Sequence, residues 1–385
     1  MPPKKLLNGS KKNLMLWNDK TAIPLADFVI EDIKRIADRT VIDDVIQWRE
    51  EENASASVAV ESPVYREQLG LWEHQKYFID LAFREHKQSY GARYILADQV
   101  GLGKTIQLAM SAQLMALYGE RPVLIIVPKT LIWQWQGELD TLLDLPSAVW
   151  NGKEWVDENG IKYPNRGIQD INKCPRKIGI LSQGLIVSQS PIIEHLLNKE
   201  YECIIIDEAH RARRQNFGNG KEYHSPEMNN LYKFLMQIST KTKSMLLATA
   251  TPIQLYPVEL WDLMNILSQK NDSVLGSKSS LWRKPERVPQ GLDLIMGKAR
   301  KEFFDLENWD WIRNPFPPKH EDATFAAVRS SNNMNDDDFV LSKSYVELLP
   351  KERQRIGNML TKNFFSNFNP YIRHVIRRER KYLEQ

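Results

Sequence analysis

From about residue 64 onward, short apolar runs alternate with stretches of helical pattern along the chain. Five of these runs are apolar on both faces, which is typical of parallel strands covered on both sides of a sheet. The five strand candidates are residues 93–97, 122–127, 177–181, 203–207 and 244–248. The pattern predicts an α/β fold in which a mostly parallel sheet carries helices on both faces.

The helix after the first strand candidate is well marked. Apolar residues recur at helical spacing from Ile106 to Leu117, and Gly119 supplies a stop signal. Two stretches fit the alternation less well. Residues 148–164 predict a hairpin insertion with an Asn-Gly turn. Residues 270–345 are irregular and rich in Trp, Pro and Asp, which predicts a long surface excursion.

The first 63 residues have a different character from the remainder of the chain. Residues 1–20 resemble a flexible arm, residues 24–52 carry a helical pattern, and residues 50–63 are acidic and rich in small side chains. We therefore expect an N-terminal arm, a small helical segment and a linker over residues 1–63. A single α/β lobe is expected over residues 64–385, with the irregular insertion at about 270–345.

Composition narrows the class of protein without identifying a function. The 385 residues are 42% hydrophobic and 26% charged, and they contain two cysteines, Cys174 and Cys203. We expect a cytoplasmic protein with no membrane partner and no disulfide framework. The net charge of +3 does not by itself indicate nucleic acid. Basic clusters at 211–214 and 373–381 leave two interpretations open, a solvated surface or a nucleic-acid contact.

The sequence LADQVGLGKT at residues 96–105 lies between a buried strand and a helix, which is the context of a phosphate-binding loop. Gly101 and Gly103 allow successive backbone N–H groups to turn toward a phosphate. Lys104 would reach the terminal phosphates of a nucleotide, and the Thr105 hydroxyl would coordinate Mg²⁺. Asp98 stands where the general motif has its first glycine, and a chance turn is the competing interpretation.

A second motif, CIIIDEAH, places two carboxylates after another buried strand. Ligands of open α/β sheets gather at that end of the strands. Asp207 would hold Mg²⁺, directly or through water, and Glu208 would orient and deprotonate the attacking water. An ordinary acidic loop after a strand is the alternative, and the phosphate loop on another strand argues against it.

These motifs resemble those of a known family when they are taken in order. LADQVGLGKTIQ, LIIVPKTLIWQWQGEL, IIIDEAHRARR and LLATATPIQLYPVELWDLMNIL occur in the order seen in superfamily-two helicases with a DEAH box. Their sequences most closely resemble the motifs of Swi/Snf-type double-stranded DNA translocases, particularly bacterial ones. LGLWEHQ at 69–75 resembles the adenine-reading motif of the family, and YIRHVIRRERKYLE at 371–384 resembles the end of its first lobe.

The resemblance implies a RecA-like P-loop NTPase lobe that binds ATP and Mg²⁺. Gln75 would read the adenine, and Gln99 stands where most members carry Glu. The implied ATP-binding residues are Gln75, Asp98, Gln99, Val100, Gly101, Leu102, Gly103, Lys104 and Thr105. His210, Thr249 and Thr251 are implied to couple the state of ATP to the grip on DNA. A contact between His210 and the Thr-Ala-Thr motif is expected.

The resemblance also implies contacts with the phosphates of a DNA strand. The residues that would make them are Lys129 and Thr130, after Pro128, and Ser182 and Gln183 in the sequence SQG. Such contacts position a duplex without reading its sequence. Trp133 and Trp135 could be base-stacking platforms, but we expect both to pack into the core. Arg377 and Arg378 would brace the junction between lobes or touch DNA.

The sequence as a whole predicts the ATP-hydrolysing motor lobe of a double-stranded DNA-dependent ATPase that translocates on duplex DNA. Two alternatives remain, a DEAH-box RNA helicase lobe and a nucleotide-binding regulatory module without turnover of its own. The second RecA-like lobe of the family is absent from the sequence, so we expect a second lobe in cis or in trans to complete the site. Hydrolysis by these residues alone is then expected to be slow. A bacterial member would be associated with the nucleoid.

Overall fold

The computed structural model describes residues 71–218, 220–254, 256–298, 306–360 and 364–379. The predicted arm, helical segment and linker of residues 1–63 lie outside the described residues, and that prediction stays open.

One sheet runs through the described part of the chain. Its strands are β1 (Arg93–Leu96), β2 (Val123–Val127), β3 (Ala148–Trp150), β4 (Trp155–Asp157), β5 (Lys162–Tyr163), β6 (Ile178–Ser182), β7 (Tyr201–Ile206), β8 (Thr242–Ala248) and β9 (Val375–Ile376). Their spatial order is β5-β4-β3-β6-β2-β7-β8-β1-β9. All neighbours from β3 to β9 are parallel, and only the β3–β4 and β4–β5 pairs are antiparallel. The five strand candidates and the mostly parallel sheet are therefore confirmed.

Helices cover both faces of this sheet. Those before and between the central strands are α1 (Glu73–Lys87), α2 (Lys104–Tyr118), α3 (Ile132–Leu143), α4 (Gln183–Val187), α5 (Ile192–Leu197) and α6 (Asn230–Ile238). Those after β8 are α7 (Val258–Leu267), α8 (Asp272–Leu275), α9 (Val288–Ile295), α10 (Leu306–Arg313), α11 (Ala323–Ser331), α12 (Pro350–Met359), α13 (Phe364–Asn367) and α14 (Pro370–His374). Within the described ranges, no helix is both long enough and apolar enough to cross a membrane.

The strands are apolar on both faces because each face has its own core. In β7, Cys203 and Ile205 belong to the cluster that α1, α2 and α3 cover, whereas Ile204 and Ile206 belong to the cluster on the opposite face. Alternation of side chains between the faces of a strand produces this division. The helix predicted after the first strand is α2, which ends at its C-cap, Gly119.

The hairpin predicted at 148–164 is also present. Strands β3, β4 and β5 form an antiparallel meander, and Gly160 has a φ of 76° in its second turn. The meander extends the main sheet, because β3 pairs in parallel with β6. Trp150 and Trp155 are 2% exposed and pack edge to face on it.

The expectation of a long irregular surface excursion at 270–345 is wrong. The described part of this stretch contains α8 to α11, and its aromatic side chains are buried in the core that also covers one face of the sheet. Trp282 is 4% exposed, and its indole N–H donates to the carbonyl of Trp311 over 2.8 Å. The Trp261 N–H donates in turn to the carbonyl of Trp282. Trp and Pro suggested irregular structure, but indoles with a bonded N–H pack well in a core.

This packing predicts a large effect of shortening Trp282. Trp282→Ala should lower the free energy of unfolding by about 3–5 kcal/mol, because it leaves a cavity beside the Trp311 ring. Urea unfolding followed by circular dichroism measures the change. Trp133→Ala is the control, since Trp133 is 49% exposed, and it should cost about 1 kcal/mol or less. Equal effects of the two changes would contradict a buried layer at 270–345.

Candidate functional site

The carboxyl ends of the parallel strands carry the predicted site residues along one edge of the sheet. The segments that follow the strands β6, β2, β7, β8 and β1 lie in that spatial order. They contain, respectively, Gln183, Lys129, Asp207, Thr249 and Asp98. Residues that are far apart in sequence are therefore brought onto one edge, where open α/β sheets bind their ligands.

The loop between β1 and α2 has the backbone conformation of a phosphate cradle. Gly101 and Gly103 have φ angles of 87° and 70°, in the left-handed region that favours glycine. A Cβ on Gly103 would lie 2.4 Å from Nε2 of Gln75, so this glycine is also required by a close approach. The two glycines turn the backbone immediately before the first residue of α2.

Lys104 is the first residue of α2 and lies over the loop. Its Nζ donates to the carbonyl of Asp98 over 2.8 Å. The 15-residue helix α2 directs its free N–H groups and the positive end of its dipole toward the same loop. A phosphate in the loop would meet backbone N–H groups, the helix N-terminus and the Lys104 ammonium. The residues present thus fit the phosphates of a nucleotide.

Asp98, the departure from the general phosphate-loop motif, is a fully buried carboxylate. Arg378 donates to it from its backbone N–H and Nε, both over 3.0 Å to Oδ1, and from Nη2 over 2.7 Å to Oδ2. Arg378 also bonds to Oε1 of Gln107 and to the carbonyl of His74. The arginine after β9 therefore holds together the phosphate loop, α1 and α2. Its guanidinium braces the phosphate loop, a role that differs from the two expected for Arg377 and Arg378, which stay predictions.

Gln75 lies between α1 and the phosphate loop. Its Oε1 accepts the backbone N–H of Trp72 over 3.0 Å, and its Nε2 donates to the carbonyl of Leu102 over 3.3 Å. Its side chain is 7% exposed. The implied adenine contact of Gln75 stays a prediction, and the structure adds a bond that fixes α1 against the loop.

Asp207 and Glu208 stand at the end of β7, where the backbone turns sharply. Glu208 has a φ of 50°, an uncommon conformation for a residue with a Cβ. Its backbone N–H donates to Oδ1 of Asp207 over 2.9 Å, and the indole N–H of Trp135 donates to Oδ2 over 3.0 Å. Both Asp207 oxygens are oriented by these bonds and keep lone pairs for further ligands.

The described ranges contain no group of three or more His, Cys, Asp or Glu side chains arranged around a metal. Mg²⁺ is commonly bound by one or two protein oxygens together with phosphates and water. An oriented carboxylate at Asp207 and a hydroxyl at Thr105 fit that mode of binding, in which the nucleotide supplies further ligands.

His210 connects the carboxylates to the segment after β8. Its Nδ1 lies 3.0 Å from Oγ1 of Thr249 and 3.2 Å from Oε2 of Glu208. The expected contact between His210 and the Thr-Ala-Thr motif is thus present. Oγ1 of Thr249 also accepts the backbone N–H of Thr251 over 3.1 Å. The coupling role of these three residues stays a prediction.

A basic groove lies beside the carboxylates, with a volume of about 650 Å³. Lys129, Arg211 and Arg213 line it, together with Thr130 and His210, and its described lining includes no Asp or Glu. Lys129 and Thr130 are exposed in the turn after β2. The basic cluster at 211–214 has both exposed and buried members. Arg211 and Arg213 are exposed, whereas Arg214 is buried in an ion pair with Asp262.

Ser182 and Gln183 have different contacts from those expected. The Ser182 hydroxyl accepts the N–H of Gly184 and caps α4. Gln183 is 1% exposed, and its Nε2 donates to the backbone carbonyl of Asp207 over 2.6 Å. Both side chains make hydrogen bonds inside the protein, and their implied contacts with a DNA strand stay a prediction. Gln183 and the exposed Gly184 both line the groove.

The two tryptophans of α3 also differ from the expectation that both pack into the core. Trp135 is 2% exposed, but Trp133 is 49% exposed. Two positions along a helix turn the side chain by about 200°, so the two indoles face opposite sides. The contacts of Trp135 and Arg378 with Asp207 and Asp98 were not expected from the sequence. Each contact joins residues that are far apart in sequence, so no local sequence pattern predicts it.

Replacing Arg378 tests how strongly the phosphate loop depends on it. Arg378→Gln should lower the free energy of unfolding by about 3–5 kcal/mol, because it leaves the buried Asp98 charge without its cation. Urea unfolding measures the loss. Arg377→Gln is the matched control, since Arg377 is exposed and lies 3.8 Å from Glu379, and it should change stability by about 0.5 kcal/mol or less. Similar stabilities of the two variants would show that Arg378 is no brace.

Comparison with known proteins gives relatives that match less than half of the chain. RNA polymerase-associated protein RapA of Pasteurella multocida (strain Pm70) is 34% identical over 189 residues, which are 48% of this chain and 18% of that protein. RapA of Klebsiella pneumoniae (strain 342) is 30% identical over 168 residues, 43% of this chain and 16% of that protein. The matches thus span less than a fifth of either relative.

Solved structures with a similar arrangement have low identity. The Sulfolobus solfataricus SWI2/SNF2 ATPase core in complex with dsDNA is 22% identical with a TM-score of 0.42, over 60% of this chain and 41% of that one. The Pyrococcus furiosus Hef helicase domain is 18% identical with a TM-score of 0.36, over 51% and 36%.

The family model of the SNF2-related domain matches residues 74–289. This range begins in α1 and includes the phosphate loop, the Asp207–Glu208 pair and the groove. It covers more than half of the 385 residues. The chain belongs to the SNF2-related domain family.

Proposed function

We propose that this chain is the ATP-binding and ATP-hydrolysing motor lobe of a double-stranded DNA-dependent ATPase that translocates along duplex DNA. The observation that carries the proposal is the shared edge of the sheet. The phosphate loop after β1, the two carboxylates after β7 and the basic groove at the ends of β2 and β6 lie along this edge. A nucleotide site and a polyanion site at one edge are the minimum that a DNA-driven ATPase requires.

The proposed nucleotide is ATP bound with Mg²⁺. The cradle of Gly101 and Gly103 and the Lys104 ammonium would hold the β- and γ-phosphates. Asp207 and Thr105 would hold the metal ion, which supplies neutralisation of the charge that develops on the phosphates. Gln75 would lie at the adenine, next to the loop to which it is hydrogen-bonded.

Hydrolysis needs a base that removes a proton from the attacking water. Glu208 is the proposed base, because it follows Asp207 at the end of β7 and its side chain is 39% exposed and open to water. Nδ1 of His210 lies within contact distance of both Oε2 of Glu208 and Oγ1 of Thr249. Movement of the Thr249–Thr251 segment would therefore change the orientation of the base. This is the proposed coupling between chemistry and the grip on DNA.

The proposed DNA site is the basic groove. Lys129, Arg211 and Arg213 are exposed cations within it, and Thr130 and Gly184 add neutral hydrogen-bonding groups. Such a set binds phosphates and sugars and reads no base edges. A translocating motor requires this lack of sequence preference, since it must bind every register of the duplex equally.

Lys104→Ala tests the nucleotide site. The change should reduce affinity for a non-hydrolysable ATP analogue with Mg²⁺ by at least about a hundredfold, since it removes the cation that faces the terminal phosphates. Isothermal titration measures the affinity, and circular dichroism confirms the fold. Glu208→Gln is the matched control, because it keeps the phosphate contacts and should bind the analogue as the wild type does. Unchanged affinity in a folded Lys104→Ala protein would refute the assignment of the loop.

Arg213→Ala tests the groove. It should weaken binding to several unrelated duplexes by the same factor and reduce the slope of log affinity against log salt by about 1. Fluorescence anisotropy at increasing salt measures both quantities. Lys153→Ala, an exposed lysine in the turn between β3 and β4, should leave binding unchanged. A marked preference of the wild type for one sequence at high salt would count against a translocating motor.

A further inference from the structure

Asp207 is held by side chains from two helices that do not belong to the phosphate loop. The indole N–H of Trp135, in the first turn of α3, donates to its Oδ2 over 3.0 Å. The Nε2 of Gln183, at the start of α4, donates to its backbone carbonyl over 2.6 Å. The helices α3 and α4 follow β2 and β6, the two strands whose ends form the groove. Side chain and backbone of one carboxylate residue are thus fixed from the groove side.

Both donors are buried, so solvent does not compete for their hydrogen bonds. Trp135 is 2% exposed and Gln183 is 1% exposed. A hydrogen bond to an ionised carboxylate is stronger than one between neutral groups. Groups that orient a metal-binding carboxylate in this way affect the affinity for the metal, and their loss typically costs about 10- to 100-fold.

Each donor is also connected to a cation or a polar turn in the groove. Oε1 of Gln183 accepts Nη1 of Arg211 over 3.3 Å, and Arg211 is exposed in the groove. Trp135 is six residues after Lys129, and the exposed turn Lys129–Leu131 leads directly into α3. A DNA strand bound by this turn or by Arg211 would therefore act on α3 or on Gln183, both of which are hydrogen-bonded to Asp207.

We infer that Trp135 and Gln183 are positioning residues that link the occupancy of the groove by a DNA duplex to the orientation of the Asp207 carboxylate. The inference rests on the proposed function, which assigns DNA to the groove and Mg²⁺ to Asp207. The indole N–H of Trp135 would thus orient Asp207, a role that packing of the ring in the core does not require. DNA in the groove then lowers the Mg²⁺ concentration at which the nucleotide binds.

Trp135→Phe removes the N–H and keeps an aromatic ring in the core. The 385-residue chain is titrated with Mg²⁺ at a fixed concentration of a fluorescent non-hydrolysable ATP analogue, with and without a short DNA duplex. In the wild type, the duplex should lower the Mg²⁺ midpoint severalfold. In Trp135→Phe, the midpoint should rise by about tenfold or more, as expected for loss of an outer partner of a metal ligand. The duplex should no longer shift the midpoint in this variant.

Trp133→Phe is the matched control on the same helix, since Trp133 is exposed and bonds to neither carboxylate in the described contacts. It should keep the wild-type midpoint and the wild-type response to the duplex. Gln183→Met gives a second, independent variant that removes the bonds to Asp207 and Arg211 at similar volume. Its duplex response should also be lost. If Trp135→Phe does not fold by circular dichroism, Gln183→Met decides by the same criterion.

Three outcomes would overturn the inference. The first is a wild-type midpoint that the duplex leaves unchanged, although both the analogue and the duplex bind. The second is a folded Trp135→Phe protein that responds to the duplex as Trp133→Phe does. The third is a wild type that binds no analogue or no duplex, in which case the proposed function fails as well. The first two outcomes leave the proposed function intact.

Discussion

The order of the parallel strands is the constraint on which the site depends. Because β3, β6, β2, β7, β8, β1 and β9 run in the same direction, the segments after them reach one edge of the sheet. The segments after β6 and β2 contribute to the groove, and the phosphate loop follows β1. The carboxylates after β7 lie between these two regions. No local sequence pattern contains this order, yet it decides which motifs are neighbours.

The position of β7 gives Asp207 two kinds of neighbour. On one side, the backbone N–H of Asp207 bonds to Ile126 and continues the pairing with β2 toward the groove. On the other side, the segment after β8 carries Thr249, which lies near Glu208 through their shared contact with Nδ1 of His210. The left-handed conformation of Glu208 costs about 1–2 kcal/mol. The pairing of β7 with β2 and β8 offsets that cost.

The sequence predicted the central strands well because burial on both faces leaves an unbroken apolar run, which few other structures produce. The short edge strands were harder to predict. Strand β9 has only two residues, Val375 and Ile376, and forms because β1 offers a free edge. The aromatic stretch after α8 was misjudged for another reason. Its Trp and Pro content is typical of irregular surface, whereas each of Trp282 and Trp309 has a carbonyl partner that makes burial favourable.

The phosphate-loop motif does not reveal the distant residue on which the loop depends. Asp98 at the first motif position looked like a local variation, but a buried carboxylate is tolerated only when a cation compensates it. That cation, Arg378, is 280 positions away and arrives through β9. The backbone of the loop is tied to the same segment, since Gln99 N–H donates to the carbonyl of Arg378. The phosphate loop is therefore braced only when the segment after β9 has reached it through the pairing of β9 with β1. Any force that displaces the segment after β9 acts directly on the phosphate loop.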